Sequence, residues 1–265
     1  TTMRFQPSEI AKLGVILYFA DSISKKKDKM RTLRYGILPY GFILALIAVL
    51  MYFEPHLSGT VLILGIGAAM MFVGGIRGYW VGIGIGGVAA VAYAFLSGLI
   101  TYNSSRIAIW LDPLNDAFKT GTGYQTRQSL IAIGSGGLLG LGLGKSRQKF
   151  LFLPEEHNDY IFPILCEELG FVGAVVVILL FILLIVRGYY IAMHARDRFG
   201  ALLAAGISTH IALQTFLNIG VVTNFLPATG ISLPFFSYGG TALLMQLFEA
   251  GVVLAVSRQN DNKLL

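Results

Sequence analysis

The sequence predicts an all-α fold, that of a polytopic helical membrane protein. Hydrophobic residues make up 55% of its 265 residues and charged residues 13%, which is roughly half of the charged share of a soluble domain. Several uncharged runs reach the roughly 20 residues that a helix needs to cross a bilayer. Glycines are plentiful inside these runs and strand-like alternation is absent, which favours helices over a barrel.

About seven transmembrane helices are predicted, each from one apolar run. The first is short and amphipathic, and Pro7 and Glu9 stand where a first helical turn accepts them. The next three follow the basic run "KKKDKMRTLR", the segment "YFEPHLSGT" and "IRGYW", and the last three follow the long segment 101–160, "ARDR" and "SYGG". In order, the predicted spans are 8–21, 35–53, 58–76, 79–100, 160–187, 199–217 and 240–257.

Basic residues concentrate in alternate connections between these helices. The runs "KKKDKMRTLR", "IRGYW" and "RGYYIAMHARDR" share one side of the membrane, and the positive-inside rule makes that side, together with the C-terminus, cytoplasmic. The same topology accounts for the net charge of +6, so no nucleic-acid partner is expected. The single cysteine, Cys166, excludes an intrachain disulfide.

The extracytoplasmic side is where function is expected. The chain is treated as one membrane domain, 1–265, in which 101–160 forms a long extracytoplasmic catalytic loop. This loop contains "GYQTRQSLIAIGSGGLLGLGLG", whose apolar but glycine-broken composition predicts a re-entrant or interfacial piece. Because the chain opens in mid-motif with "TTMRFQPSEIAKL", we expect further helices before it.

An acidic cluster, "LPEEHNDYIF", stands directly before the predicted helix at 160. Apolar surroundings raise a carboxyl pKa towards working pH, so a carboxylate at the mouth of a membrane helix can serve as general base. Asp159 is the best placed for this role, and capping of the helix is a compatible alternative. A solvated loop is the simpler interpretation of Glu155, Glu156 and His157, and one histidine beside carboxylates is a weak zinc signal.

Further polar residues fall inside predicted helices. Glu167 and Glu168 should face protein or water, because an ionised group facing lipid is costly. His210, Gln214 and Asn218 form one stripe at helical spacing. Interhelical hydrogen bonding is the preferred interpretation of the stripe, with substrate contact as the alternative. Glu249 lies deep in the last helix.

Cations and hydroxyls complete the candidate residues. Anionic substrate or lipid headgroups could each explain the basic residues predicted on the outer side. The uncharged loop "LPATGISLPFFSYGG" supplies no acid or base, but Ser237 and Tyr238 could donate hydrogen bonds to a substrate. The outer basic residues are Arg4, Lys12, Arg106, Lys119, Arg127, Lys145, Arg147 and Lys149.

Four stretches together resemble the SEDS family (shape, elongation, division and sporulation), the FtsW, RodA and SpoVE proteins. They are "FQPSEIAKL", "GYQTRQSLIAIGSGGLLGLGLG", "FLPEEHNDYIFPILCEELGFVG" and "NIGVVTNFLPATGISLPFFSYGG", which run nearly end to end in family order. The resemblance implies a ten-helix fold of which this chain matches helices four to ten. The wording "EEHND" leans towards the division and sporulation branch.

The resemblance also implies an activity, the polymerisation of peptidoglycan from lipid II. It places Asp159 at the family's essential aspartate, and Arg4 and Lys12 at a basic pair that lines a central cavity. Asp159 would remove the proton from the acceptor sugar 4-hydroxyl, which attacks the donor's anomeric carbon with inversion, and undecaprenyl diphosphate would leave. The matched motifs add further substrate-binding candidates: Glu155, His157, Gln125, Gln128, Ser129, Ser237 and Tyr238.

The same resemblance implies partners. A class B penicillin-binding protein, divisome or sporulation proteins and membrane lipids are expected around the enzyme, and a divalent cation, Mg²⁺ or Mn²⁺, could assist the leaving diphosphate. A lipid II flippase and a noncatalytic scaffold remain alternatives. His56, Asn158 and Asn224 depart from the family pattern. Asn224 replaces a glycine, a change that asparagine's tolerance of positive φ eases.

Overall fold

All regular secondary structure in the described part of the chain is helical. The computed structural model describes residues 6–53, 57–80, 82–84, 86–87, 104–115, 121–150, 153–154 and 157–261, and no strand occurs among them. The predicted all-α class is confirmed. The helices are α1 (Pro7–Lys26), α2 (Leu38–Phe53), α3 (Leu57–Val73), α4 (Ser104–Leu111), α5 (Tyr124–Ser135), α6 (Ile161–Met193), α7 (Arg198–Val222) and α8 (Gly240–Asp261).

Four spans among the described residues are long and apolar enough to cross a membrane: Leu33–Met51, Ile161–Met193, Arg198–Val222 and Gly240–Gln259. Helix α3 coincides with a predicted span but is shorter, and α1 coincides with the span predicted as short and amphipathic. The span predicted over 79–100 is helical at 79–80, 82–84 and 86–87, and its other residues lie outside the described part of the chain. The chain is a multi-pass membrane protein.

Helix α6 continues six residues beyond the predicted end at Arg187, to Met193. The prediction ended the span at Arg187, the first charged residue. A charged residue limits how far a helix can lie in lipid, but it does not end the helix. The Arg187 guanidinium lies 5.1 Å from the ring centroid of Tyr190, and His194 Nδ1 lies 2.9 Å from the Tyr190 carbonyl oxygen. These contacts extend α6 into the polar connection that follows.

Two compact units make up the chain, and each is described by itself. Unit 1 contains Thr1–Ile85, Ile182–Leu213 and Gly239–Leu265, and unit 2 contains Gly86–Phe181 and Gln214–Tyr238. In unit 1 the Phe19 and Tyr40 rings meet edge to face with centroids 4.9 Å apart. The Tyr40 hydroxyl donates to Ser22 Oγ at 2.9 Å, which joins α2 to α1.

Small residues allow close helix packing in unit 1. A Cβ built on Gly188 of α6 would lie 2.1 Å from Ser208 Oγ of α7. Nearby, the Tyr189 hydroxyl and Thr209 Oγ1 form a hydrogen bond of 2.8 Å between the same two helices. Glycine with a hydroxyl neighbour is a common way for helices to approach closely in lipid.

Unit 2 contains a break in α6 at Gly170, whose φ is 69° and ψ is −170°. The break frees main-chain groups on both sides of it from helical bonding, and the glycine-rich loop 136–144 supplies their partners. Leu141 N donates to Glu167 O at 2.9 Å and Gly142 N to Glu168 O at 3.0 Å. In return, Phe171 N donates to Gly137 O at 2.9 Å and Val172 N to Leu138 O at 3.1 Å. We call this arrangement the helix-break exchange.

Glycines make the helix-break exchange sterically possible. A Cβ on Gly170 would lie 2.3 Å from Gly140 N, and a Cβ on Gly140 would lie 2.2 Å from Glu168 O. A Cβ on Gly136 would lie 2.0 Å from Cys166 O. The stretch predicted to be re-entrant or interfacial is therefore helix α5 followed by a loop whose backbone packs directly on the backbone of α6.

Candidate active site

Asp159 lies in the turn 157–160 that leads into α6. The helix begins at Ile161, and Pro163 falls in its first turn, where a missing N–H costs nothing. Tyr160 therefore stands directly before the helix, and the half-buried Asp159 stands one residue further out. The predicted general base is thus attached to the rigid end of a long membrane helix.

The loop 223–239, between α7 and α8, donates hydrogen bonds to the main-chain carbonyl groups of this turn. Tyr238 N donates to His157 O at 2.7 Å. Ser237 Oγ donates to Asn158 O at 2.6 Å. We call these two bonds, together with the bond from Asn218 Nδ2 to Asp159 O, the carbonyl clamp.

Asn218 of α7 completes the clamp. Its Nδ2 donates to Asp159 O at 2.7 Å and to Ile231 O at 2.6 Å. One turn earlier, Gln214 Nε2 donates to Ser232 O at 3.0 Å. Gln214 and Asn218 of the predicted polar stripe therefore bond to the loop and the turn, and only His210 makes the interhelical bond that was expected, to Glu249 of α8.

Gly230 borders the carboxylate of Asp159. Its φ is +70°, and a Cβ built on it would lie 3.2 Å from Asp159 Oδ2. The carboxylate is therefore packed against the loop backbone at a position where a side chain would crowd it. Upstream in the same loop, Asn224 has a φ of 59° and donates from Nδ2 to Trp110 O at 3.0 Å, so asparagine adopts the positive φ that the replaced glycine would favour.

Arg106 of α4 joins this site although residue 106 is far from Asp159 in the chain. Its Nη1 donates to Ala228 O at 3.1 Å, in the loop that holds the Asp159 turn. The pKa of the Tyr160 phenol is raised, mainly by its burial. A hydrogen bond with Thr126 lowers the pKa, the charge of Asp159 raises it and the charge of Arg106 lowers it. Sequence reasoning counted Arg106 only among the outer cations.

Several predicted substrate ligands make contacts with the protein itself. Ser129 Oγ is buried and donates to Val222 O at 2.7 Å, and Gln125 Nε2 donates to Pro154 O at 3.1 Å. The Ser237 hydroxyl donates to Asn158 O and accepts from Leu233 N at 2.7 Å. These three side chains anchor the scaffold around Asp159.

The remaining candidates differ in exposure. The side chain of Tyr238 is exposed, that of His157 is exposed and that of Gln128 is half-buried. Tyr238 and His157 are thus exposed residues at the Asp159 turn, joined by the bond from Tyr238 N to His157 O. Arg4 and Glu155 lie outside the described residues.

Lys12 belongs to unit 1, where it forms a buried ion pair within α1. Its Nζ lies 2.7 Å from Glu9 Oε1, and both side chains are buried. Glu9 Oε2 is buried as well and has no hydrogen-bond partner within the described ranges. The pair neutralises itself locally, as burial of charge requires.

The glutamates of α6 are satisfied inside unit 2. Glu167 is buried, and it accepts bonds from Ser146 Oγ, from Arg147 N at 3.2 Å and from Gln148 N at 3.2 Å. Glu168 lies 2.7 Å from Lys149 Nζ. The prediction that both glutamates face protein or water is confirmed.

Glu249 of α8 is paired in unit 1. Its two carboxylate oxygens lie 3.1 and 2.9 Å from His210 Nδ1 of α7, and both side chains are fully buried. The residue that looked isolated in the last helix therefore has a partner four residues before Gln214. In the residues described, His, Cys, Asp and Glu nowhere gather in a group of three that could hold a metal ion.

Comparisons with known proteins cover the chain almost completely. The family model described as Cell cycle protein, FtsW/RodA/SpoVE, matches residues 1–262. The probable peptidoglycan glycosyltransferase FtsW of Geobacter metallireducens is 40% identical over 252 residues, 95% of this chain and 66% of that protein. Stage V sporulation protein E of Bacillus subtilis is 43% identical over 255 residues, 96% of this chain and 68% of that protein.

Solved structures match as well. A chain of the structure titled "Structural coordination of polymerization and crosslinking by a peptidoglycan synthase complex" has a TM-score of 0.79 at 28% identity, covering 98% of this chain and 72% of that chain. The Thermus thermophilus rod shape determining protein RodA has a TM-score of 0.62 at 26% identity, covering 97% and 66%. The chain thus spans about two thirds of the length of these relatives, and it belongs to the FtsW/RodA/SpoVE family of cell cycle proteins.

Proposed function

We propose that the protein polymerises lipid II into glycan strands at the outer face of the cytoplasmic membrane, in cell division or sporulation. The observation that carries the proposal is the Asp159 turn, which the carbonyl clamp fixes and whose carboxylate lies against Gly230. Relatives at about 40% identity named as peptidoglycan glycosyltransferases support it.

Asp159 acts as general base in this proposal. It accepts the proton of the acceptor sugar 4-hydroxyl while that oxygen bonds to the anomeric carbon of the donor, on the face opposite the leaving group. The bond from that carbon to the diphosphate oxygen breaks, and undecaprenyl diphosphate leaves with the electron pair. A base positioned in this way contributes roughly 10²–10⁴-fold to a rate, and inversion follows from direct displacement.

The leaving diphosphate needs positive charge more than a proton. Arg106 is the cation that the described contacts bring to the loop of Asp159. Arg4 and Lys12 stay proposed ligands by family resemblance, and at Lys12 a diphosphate would compete with Glu9 for the ammonium group. A divalent cation, Mg²⁺ or Mn²⁺, stays a proposed aid to the leaving diphosphate, where one or two protein carboxylates together with the phosphate oxygens would hold it.

Charge placement favours the polymerase over a lipid II flippase. A flippase path needs charged groups available along the membrane, and Glu167, Glu168 and Glu249 are carboxylates within membrane helices that could provide them. Each now has a partner within the protein: main-chain amides for Glu167, Lys149 for Glu168 and His210 for Glu249. A scaffold role gives no reason for the acid at Asp159.

The test uses the complete protein in vesicles with fluorescent lipid II, with a class B penicillin-binding protein present as the proposed partner. We expect glycan polymer on a gel. Movement of lipid II across the vesicle membrane without polymer would contradict the polymerase and support a flippase. The absence of both movement and polymer would favour a scaffold.

We further propose that the C-terminus is cytoplasmic. The basic connections of the chain support this orientation through the positive-inside rule. In a Gln259→Cys variant, we expect an impermeant maleimide to react only after cells are opened. Thr223→Cys, in an exposed part of the loop 223–239, should react in intact cells, while the buried Cys166 gives little background. The reverse pattern would invert the topology.

A further inference from the structure

Asn218 of the carbonyl clamp has no role of its own in the proton transfer proposed above. It is buried in α7, 1% exposed, and both hydrogens of its carboxamide are donated, one to Asp159 O and one to Ile231 O. Its Oδ1 is buried and has no hydrogen-bond partner in the described part of the chain. A buried acceptor without a partner lowers the stability of the fold. Any benefit of Asn218 must therefore come from the two hydrogen bonds that it donates.

The two acceptors are the main-chain carbonyl of the candidate base and a carbonyl of the loop beside its carboxylate. Asp159 O belongs to the base itself, and Ile231 directly follows Gly230, the residue against which the Asp159 carboxylate rests. One side chain therefore fixes the base's main chain and the backbone that borders its carboxylate. The distance between the Asp159 main chain and the backbone of residues 230–231 decides where Asp159 Oδ2 can lie.

We propose that Asn218 is a positioning residue of the glycosyl transfer, which sets the placement of the Asp159 carboxylate without touching substrate. This inference rests on the proposed polymerase function. A misplaced base slows proton transfer from bound acceptor, because small displacements at a reacting centre have large effects on rate. Substrate binding by the cations is left intact.

The experiment compares Asn218→Asp, Asn218→Ala and Thr209→Val in the complete protein, with lipid II polymerisation as the assay. Asn218→Asp keeps the side-chain shape but turns an oxygen towards the two carbonyl groups. Thr209→Val is the matched control, since it removes hydrogen bonds of the same helix in unit 1, a part-buried one with Tyr189 and a buried one to Ala205 O.

We expect both Asn218 variants to lower kcat at least tenfold with KM for lipid II within about twofold, and to move the acidic limb of the kcat–pH profile. Thr209→Val should change neither. Cryo-EM of Asn218→Asp should show the Asp159 turn moved away from residues 230–232, which provides a readout independent of activity and of the folding of the alanine variant.

The outcomes separate the two proposals. Wild-type protein that makes no polymer overturns the polymerase function, and the positioning role falls with it. Polymer from wild type together with Asn218 variants that match Thr209→Val, or that change KM and kcat in parallel over an unmoved turn, overturns the positioning role alone.

Discussion

Asp159→Asn is expected to lower the rate of glycan polymerisation about a hundredfold or more, the range attributed to a general base. The amide cannot accept the acceptor proton at neutral pH. It keeps the size of the side chain and the main-chain carbonyl that Asn218 holds at 2.7 Å, so the turn should stay in place. Polymer length on a gel, from lipid II and purified protein, measures the result.

Asp159→Glu is the matched control for charge. It retains a carboxylate but lengthens it by one methylene beside Gly230, so partial activity is expected. Both variants must elute as folded protein with the thermal stability of wild type. Polymer from Asp159→Asn at the wild-type rate would remove Asp159 as the base and return attention to the other polar groups of the turn.

Gly170→Ala is expected to destabilise the protein by about 3 kcal/mol or more, because it combines two large penalties. The position has φ 69° and ψ −170°, a conformation that is essentially reserved for glycine. The added Cβ would also lie 2.3 Å from Gly140 N and 2.6 Å from Leu138 O, so the helix-break exchange must open. Thermal unfolding in detergent measures the loss.

Two other glycines of the same region separate these penalties. Gly137 has a φ of +56° but nothing within 4 Å of a built Cβ, so Gly137→Ala should cost roughly 1 kcal/mol from backbone strain alone. Gly134 of α5 has neither problem, and alanine there should be neutral or stabilising by up to about 1 kcal/mol. Equal melting temperatures for all three variants would show that the exchange adds no stability.

Apolar runs predicted the helices well, since length and hydropathy alone decide what can cross a bilayer. The ends were harder. Arg187 marked the end of the apolar run but not of α6, which continues to Met193 with the Arg187 guanidinium over the Tyr190 ring and His194 against the Tyr190 carbonyl oxygen. The break at Gly170 was invisible for a different reason: nothing in the local sequence shows that a loop thirty residues earlier supplies its partners.

The candidate site was predicted in part. Asp159 and Asn218 stood out as polar residues in apolar surroundings, and the structure brings them together through a main-chain carbonyl. Ser237 and Ser129 looked like substrate donors, but a hydroxyl in a sequence does not reveal that a nearby carbonyl already accepts its proton. Arg106 was one of eight outer cations, and only its bond to Ala228 distinguishes it.

The helix-break exchange has a consequence for how the protein is made. The loop 136–144 precedes α6 in the chain, so it leaves the ribosome before the residues around Gly170 do. When the translocon releases α6 to lipid, the freed amides and carbonyls beside the break would each cost several kcal/mol if unpaired, and their partners have by then been synthesised. Chain order thus lets a broken helix be inserted without an exposed break.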